Sequence, residues 1–293
     1  MRRQMECSAK ATRSYYGIQH NAHLLCCLNT NMIAGKMMLV RALEWDAELT
    51  IIEPVSDPFD GLPSADFFDF VAMVPMQVAA TLAKIPNPLQ QIGILIIGGA
   101  PTPPELIHKL ASEKLNAFQT YGMTETVSHV ALSKITGGEP IYEALPGVKI
   151  GTDVEGRLVL EADMALGGRV QTNDLVELIG EDKFKWIGRA DFIVNSGGVK
   201  LQPEQIEKTL EPFLSKTIGK RAFFLGGKPD PLLGEALILL VEGATLPNDQ
   251  KLIEDMKSFL PQFQAPKAVH FIPEFVRTPS GKINRFQTLS LLP

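Results

Sequence analysis

The run Ile92-Gly93-Ile94-Leu95-Ile96-Ile97 constrains the fold most. It is a near-continuous β-rich segment with turn residues on both sides, followed at once by Gly98-Gly99-Ala100-Pro101 and then by Pro103-Pro104. A run of this kind reads as a strand buried on both faces. The prolines open a helix at no loss, because the first helical N–H groups have no partner within the helix. Leu49 to Glu53, stopped by Pro54, and Phe70 to Val74, stopped by Pro75, repeat the pattern, and His23 to Leu28 is a further short apolar run. Between them, residues 5 to 16 and Lys36 to Leu43 have helical spacing, with Met37, Met38, Val40 and Leu43 directed at a core. Strands that alternate with helices predict an α/β domain built on a parallel sheet covered on both faces.

From Pro146 the pattern changes. Val148 to Ile150, Arg157 to Leu160, Leu175 to Ile179 and Phe184 to Ile187 are short runs split by Gly and Asp turns, which predicts a small antiparallel or barrel-like β unit over 146–190. After Asp191 a turn at Asn195-Ser196-Gly197-Gly198 precedes a helix from about Pro203, strands near 221–225 and 236–241, a helix near 248–260 and a strand near 268–272. That order describes a separate α+β domain over 191–293, joined to a partial large α/β domain over 1–190.

Bulk properties narrow the class. Hydrophobic residues are 45% and charged residues 21% of the 293, so the chain is globular. A net charge of -5 without a basic block argues against nucleic acid or an anionic membrane as the main partner. The start is basic but has no apolar stretch behind it, unlike a secretory signal, and apolar runs such as Ala236 to Val241 are strand-sized. Cys7, Cys26 and Cys27 form no paired framework and match no zinc spacing; they read as small buried hydrophobes in a reducing cytoplasm. The oligomeric state stays open, a homo-oligomer included.

Four short motifs carry the chemistry. Gly98-Gly99-Ala100-Pro101 would let a ligand approach the backbone. Tyr121-Gly122-Met123-Thr124-Glu125 offers an aromatic ring for a purine and an adjacent hydroxyl and carboxylate for a phosphate and its magnesium. Gly188-Arg189-Ala190-Asp191 lies where the composition shifts. Pro279-Ser280-Gly281-Lys282-Ile283-Asn284-Arg285 projects a long cation from a turn. In this order and at roughly this spacing they resemble the adenylate-forming superfamily of acyl-CoA synthetases, luciferases and peptide-synthetase adenylation domains. The run from Tyr121 to Leu132, with Ile33-Ala34-Gly35-Lys36-Met37-Met38, is similar to the o-succinylbenzoate–CoA ligases of menaquinone synthesis.

The resemblance implies roles. Gly99, Ala100, Pro101, Tyr121 and Gly122 would line the adenine, Thr124 would meet the phosphates and Glu125 would hold Mg2+. Asp174 and Arg189 would bind the ribose; the residue before this aspartate is ordinarily glycine, and Asn173 replaces it as a residue tolerant of left-handed backbone. Asp191 would be a hinge, Gly197 and Gly198 would approach the pantetheine of CoA, and Lys282 would be the catalytic lysine. Ser128 and His129 would lie near the acyl substrate. The implied reaction joins a carboxylic acid to CoA with ATP, releasing AMP and pyrophosphate. The superfamily's Ser/Thr/Gly-rich loop ending in Pro-Lys, which grips the β- and γ-phosphates, has no counterpart in the chain, and matching begins at about Arg3-Gln4-Met5. The expectation is therefore an N-terminally truncated ligase with apolar sheet edges exposed. Its alternatives are a non-catalytic remnant that binds nucleotide or a partner chain, and another acyl-CoA synthetase of the same superfamily.

Overall fold

A computed structural model describes residues 1–63, 66–246, 249–278 and 281–292. The chain divides into two compact units, one of residues 1–172 and 176–186, the other of 173–175 and 187–293.

The first unit opens with α1 (Arg2–Tyr16), β1 (His23–Cys26), α2 (Ile33–Trp45), β2 (Glu48–Ile51) and β3 (Phe68–Met73). It continues with α3 (Pro75–Leu82), β4 (Ile92–Ile97), α4 (Pro104–Ser112), β5 (Ala117–Gly122), β6 (His129–Lys134) and β7 (Tyr142–Ala144). The strands β8 (Lys149–Thr152), β9 (Arg157–Glu161), β10 (Arg169–Ile179) and β11 (Lys183–Arg189) follow, the last passing into the second unit after Trp186. One eleven-stranded sheet takes the order β2-β1-β3-β4-β5-β6-β7-β11-β10-β9-β8. From β2 to β5 all pairings are parallel, as the alternation of strands and helices predicts. Side chains alternate between faces along each strand. Leu24, Cys26, Phe70, Ala72 and Ile96 enter one core with Met38, Ala42 and Trp45 of α2. Leu25, Cys27, Val71, Met73, Leu95 and Ile97 enter another with Val78 of α3 and Leu106 and Leu110 of α4. The sheet is thus covered on both faces, which is why its strands read as unbroken apolar runs. The adjacent cysteines end on opposite faces, both buried. Trp45 Nε1 donates to Ala9 O at 2.9 Å and fixes α2 to α1. Outermost β2 leaves Ile51 55% exposed.

The β-rich stretch after Pro146 takes the antiparallel option: β8 pairs antiparallel with β9, β11 with β7, and all extend the same sheet. The second unit holds β12 (Val194–Ser196), β13 (Val199–Leu201), α5 (Pro203–Thr217), β14 (Phe223–Asp230), β15 (Gly234–Glu242), α6 (Asp249–Met256), β16 (Ala268–Ile272) and α7 (Arg285–Leu289). Its sheet runs β13-β12-β15-β14, with β16 parallel to β15. Leu237, Leu239 and Val241 of β15 pack with Ile206, Leu210 and Leu214 of α5. Ile238 and Leu240 face the other way, onto Phe224, Ile272 and Phe275. Among the described residues no helix is long and apolar enough to cross a membrane.

Candidate functional site

In the first unit the glycine turn and the tyrosine motif lie at the carboxyl ends of neighbouring parallel strands, β4 and β5, paired through Ile97 and Gln119. Open α/β sheets bind ligands outside these ends. Gly98 N–H donates to Met73 O at 3.2 Å, and a β-carbon on Gly98 would collide with Thr120 Oγ1. Gly99 has φ +85°, which favours glycine. Ala100 and Pro101 are exposed before α4 begins.

Tyr121 and Gly122 belong to the strand itself, as the last two residues of β5. Pairing with β6 carries it there: Gly122 faces His129 across a register shift, and a β-carbon on Gly122 would fall inside contact distance of Ser128 O and His129 Cα. The Tyr121 ring meets Phe184 edge-on at 5.1 Å and Tyr142 at 5.7 Å. Thr124, Glu125 and Thr126 form a short 3₁₀ turn with Thr124 and Glu125 exposed and Thr126 buried. The buried Thr126 Oγ1 accepts from Met123 N–H at 3.1 Å. Val127 then has φ 64° and ψ -46°, with Ser128 N–H donating to Thr126 O at 2.6 Å. This is a γ-turn of the rarer, strained hand, and a β-branched residue seldom adopts it. It aims Ser128 and His129 back beneath the motif.

Beneath the motif lies a residue that reading the sequence missed. Arg41 of α2 is 2% exposed. Its Nη2 donates to Ser128 Oγ at 3.3 Å and lies 3.5 Å from His129 Nδ1; its Nη1 donates to Met38 Sδ at 3.5 Å. Its guanidinium lies 5.5 Å from the Phe70 ring centre. Nε has no hydrogen-bond partner among the described residues. Burial pushes Arg41 down to about 10, partly opposed by Tyr16, so it remains a cation at neutral pH. Every partner named is neutral. Burial first, then the Arg41 charge, holds His129 well below the ordinary histidine range, so it is uncharged. His129 Nε2 lies 3.1 Å from Thr12 Oγ1 of α1. The available signal was Arg41's position on the apolar stripe of α2, one turn beyond Met37 and Met38.

In the second unit Asp174 is 8% exposed and lies 3.8 Å from Arg189 Nη1. Arg189 Nη2 also meets Asp191 Oδ2 at 2.6 Å, and Asn173 Nδ2 donates to the same oxygen at 3.3 Å. Asn173 does not take the left-handed turn expected of it; it lies inside β10, whose extended backbone runs through that position. Gly188 is dictated by close approach, since a β-carbon there would strike Gln202 and Glu204. Those side chains hold the Arg189 backbone: Glu204 Oε1 accepts its N–H at 3.2 Å and Gln202 Nε2 donates to its carbonyl at 3.2 Å. Burial raises Glu204 above the ordinary carboxylate range, with Arg285 opposing. Asp191 falls in a short 3₁₀ turn, Ala190–Phe192. Gly197 and Gly198, with φ 58° and 81°, make the two-residue turn of the β12–β13 hairpin. Lys282 is exposed; its N–H donates to Thr278 Oγ1 at 3.2 Å and its carbonyl accepts from Thr278 N–H at 2.8 Å. Pro279 and Ser280 of its motif lie outside the described residues.

Among the described residues no three His, Cys, Asp or Glu side chains gather as a metal site. A single exposed carboxylate such as Glu125 fits magnesium, which takes most of its ligands from phosphate and water.

No family model matches the chain. A 2-succinylbenzoate–CoA ligase of Bacillus cytotoxicus is 24% identical over 97% of this chain and 65% of its own length. A feruloyl-CoA synthase of an Amycolatopsis species is 26% identical over 88% of this chain and 57% of its own. The chain thus spans less than two thirds of the length of these curated relatives. Among solved structures, the acyl-CoA synthetase (AMP-forming)/AMP-acid ligase II-like protein from Dyadobacter fermentans is 38% identical, covering 99% of this chain and 84% of that one with a TM-score of 0.63. The o-succinylbenzoate CoA synthetase of Bacillus subtilis, in complex with the acyl-adenylate intermediate, shares the fold at a TM-score of 0.80 and 18% identity, covering 97% of this chain and 64% of that one.

Proposed function

This chain belongs to the adenylate-forming superfamily, with the AMP-forming acyl-CoA synthetases, and on that premise we propose that it carries the acid and nucleotide sites of an acid–CoA ligase acting on an aromatic acid with a second carboxylate, of which o-succinylbenzoate is the example. One carboxylate oxygen attacks the α-phosphorus of ATP, and the bond to pyrophosphate breaks. The thiolate of CoA then attacks the acyl carbon, and AMP leaves. Tyr121 with Gly99, Ala100, Pro101 and Gly122 receives the adenine, Asp174 and Arg189 the ribose hydroxyls, Thr124 the phosphates and Glu125 the Mg2+. Lys282 brings a cation to the meeting of two anions, where charge and orientation both limit the rate. Asp191 is the hinge between a domain over 1–190 and one over 191–293, and Gly197 and Gly198 give the pantetheine room.

The observation that carries the choice of acid is Arg41. A buried cation whose polar contacts are all neutral is suited to an anion, and a charged hydrogen bond supplies roughly 1.5–3 kcal/mol. Ser128, half-buried beside it, adds a hydroxyl. Ferulate has no second carboxylate for Arg41 to meet. Titration calorimetry with residues 1–293 tests this: o-succinylbenzoate is expected to bind at least about tenfold tighter than 4-oxo-4-phenylbutanoate, which lacks the ring carboxylate. Equal affinity would remove the diacid from the reading. The rival is a nucleotide-binding remnant without turnover. ATP–pyrophosphate exchange separates the two. Exchange is expected to be negligible for this polypeptide and to recover when a relative's loop is joined ahead of it; no recovery would favour the remnant.

A further inference from the structure

We propose that Thr12 and His129 are positioning residues that hold the Arg41 guanidinium toward an anionic ligand by locking His129 in a single tautomer. The inference deepens the reading of Arg41 as a carboxylate site and rests on it for the ligand, but the tautomer itself follows from counting protons.

Thr12 is fully buried, and its hydroxyl has one proton to give. That hydroxyl donates to Ser8 O, one turn back along α1, at 2.9 Å, a common bond for threonine inside a helix. The same oxygen lies 3.1 Å from His129 Nε2. With its proton committed to Ser8, Thr12 Oγ1 can only accept, so Nε2 carries the histidine's hydrogen. Nδ1 is then a bare lone pair facing Arg41 Nη2 at 3.5 Å and Ser128 Oγ at 3.4 Å. Arginine only donates, so a lone pair is the partner it needs.

The opposite wiring fails. If Thr12 gave its proton to Nε2, Nδ1 would bear the hydrogen, and two N–H groups would confront each other between His129 and Arg41. A charged histidine would be worse, placing a second buried cation against the first. Only the Nε2–H neutral form satisfies all three side chains. It supplies Arg41 with an acceptor while leaving its positive charge uncompensated, whereas an aspartate or glutamate there would neutralise it and compete with a ligand. The chain from Ser8 through Thr12 and His129 to Arg41 thus fixes the direction of the guanidinium without spending its charge.

The test uses residues 1–293 labelled with ¹⁵N-histidine. Long-range proton–nitrogen correlations report the tautomer, and His129→Gln identifies the signal. The expected result is the Nε2–H form in the unsubstituted chain and loss of that single form in Thr12→Val, which keeps the shape and removes the acceptor. Thr12→Val is expected to weaken o-succinylbenzoate about tenfold and to leave 4-oxo-4-phenylbutanoate within about twofold; Thr12→Ser restores both tautomer and affinity. An Nδ1–H form in the unsubstituted chain, or equal weakening of both acids by Thr12→Val, overturns the positioning role. If neither acid binds the unsubstituted chain, the diacid reading fails, and the tautomer measurement still decides whether Thr12 orders His129 against Arg41.

Discussion

Replacing Arg41 by methionine is expected to stabilise the first unit while weakening the diacid. Held down at about 10 by burial, against an ordinary value above 12 for arginine, its guanidinium carries a penalty on the order of 3 kcal/mol at neutral pH. Methionine removes that charge and keeps most of the aliphatic volume between Met38 and Phe70. It forfeits long hydrogen bonds to Ser128 and Met38 and the cation above Phe70, and leaves a small void, together about 1–2 kcal/mol. Ser128 Oγ, 3.4 Å from His129 Nδ1, can donate in Arg41's place, so no new orphan is made. The net gain is about 1–2 kcal/mol, or a rise of roughly 2–8 °C in Tm for a unit of this size. Scanning calorimetry measures the change in Tm, and titration calorimetry measures o-succinylbenzoate, expected to bind at least about tenfold more weakly. A drop in Tm of several degrees would show that Arg41 is a structural tie. Unchanged diacid affinity would show that its charge serves no ligand. Either result refutes the reasoning, which requires a residue that costs the fold and serves the site.

Three further outcomes are expected. Because His129 is held well below its ordinary value near 6.5, the unfolded chain takes up a proton below that pH while the folded chain does not; the first unit should lose about 1 kcal/mol between pH 6.5 and 5.5, read by calorimetry, and His129→Gln should remove that loss. Gly122→Ala forces a β-carbon against the Ser128 and His129 backbone, so it should cost about 2 kcal/mol or more in denaturant unfolding; a neutral result would mean the β5–β6 bulge relaxes freely. In a polypeptide extended with a relative's phosphate-gripping loop, Lys282→Ala should lower adenylate formation at least about a hundredfold and spare thioester formation from supplied adenylate, and equal loss in both half-reactions would take the lysine out of its proposed role.

The sequence alone marked the apolar strands of the parallel sheet and its cover of helices on both faces, but not β6, β7, β12 or β13. Ile92–Ile97 is legible because a strand covered on both faces needs a nearly unbroken apolar run, and Pro54, Pro75 and Gly98 mark where such runs stop. It also placed Tyr121–Glu125 and the adjoining Ser128 and His129, since these follow one another along the chain. Local composition could not show that Gly122 continues β5, because pairing with His129 carries the strand there. Nor could it show that Asn173 stays extended, because β10 runs through it. The strand order β2-β1-β3-β4-β5 was equally out of reach. The polar cluster was the least legible. Thr12 and His129 are 117 positions apart, and Arg41 and His129 are 88 apart. Each looks unremarkable in its own segment: a threonine in a helix, an arginine in a helix, a histidine opening a strand. Burial makes them a group, because a cation away from water must find acceptors, and the acceptors are supplied only when α1 and α2 pack over the start of β6.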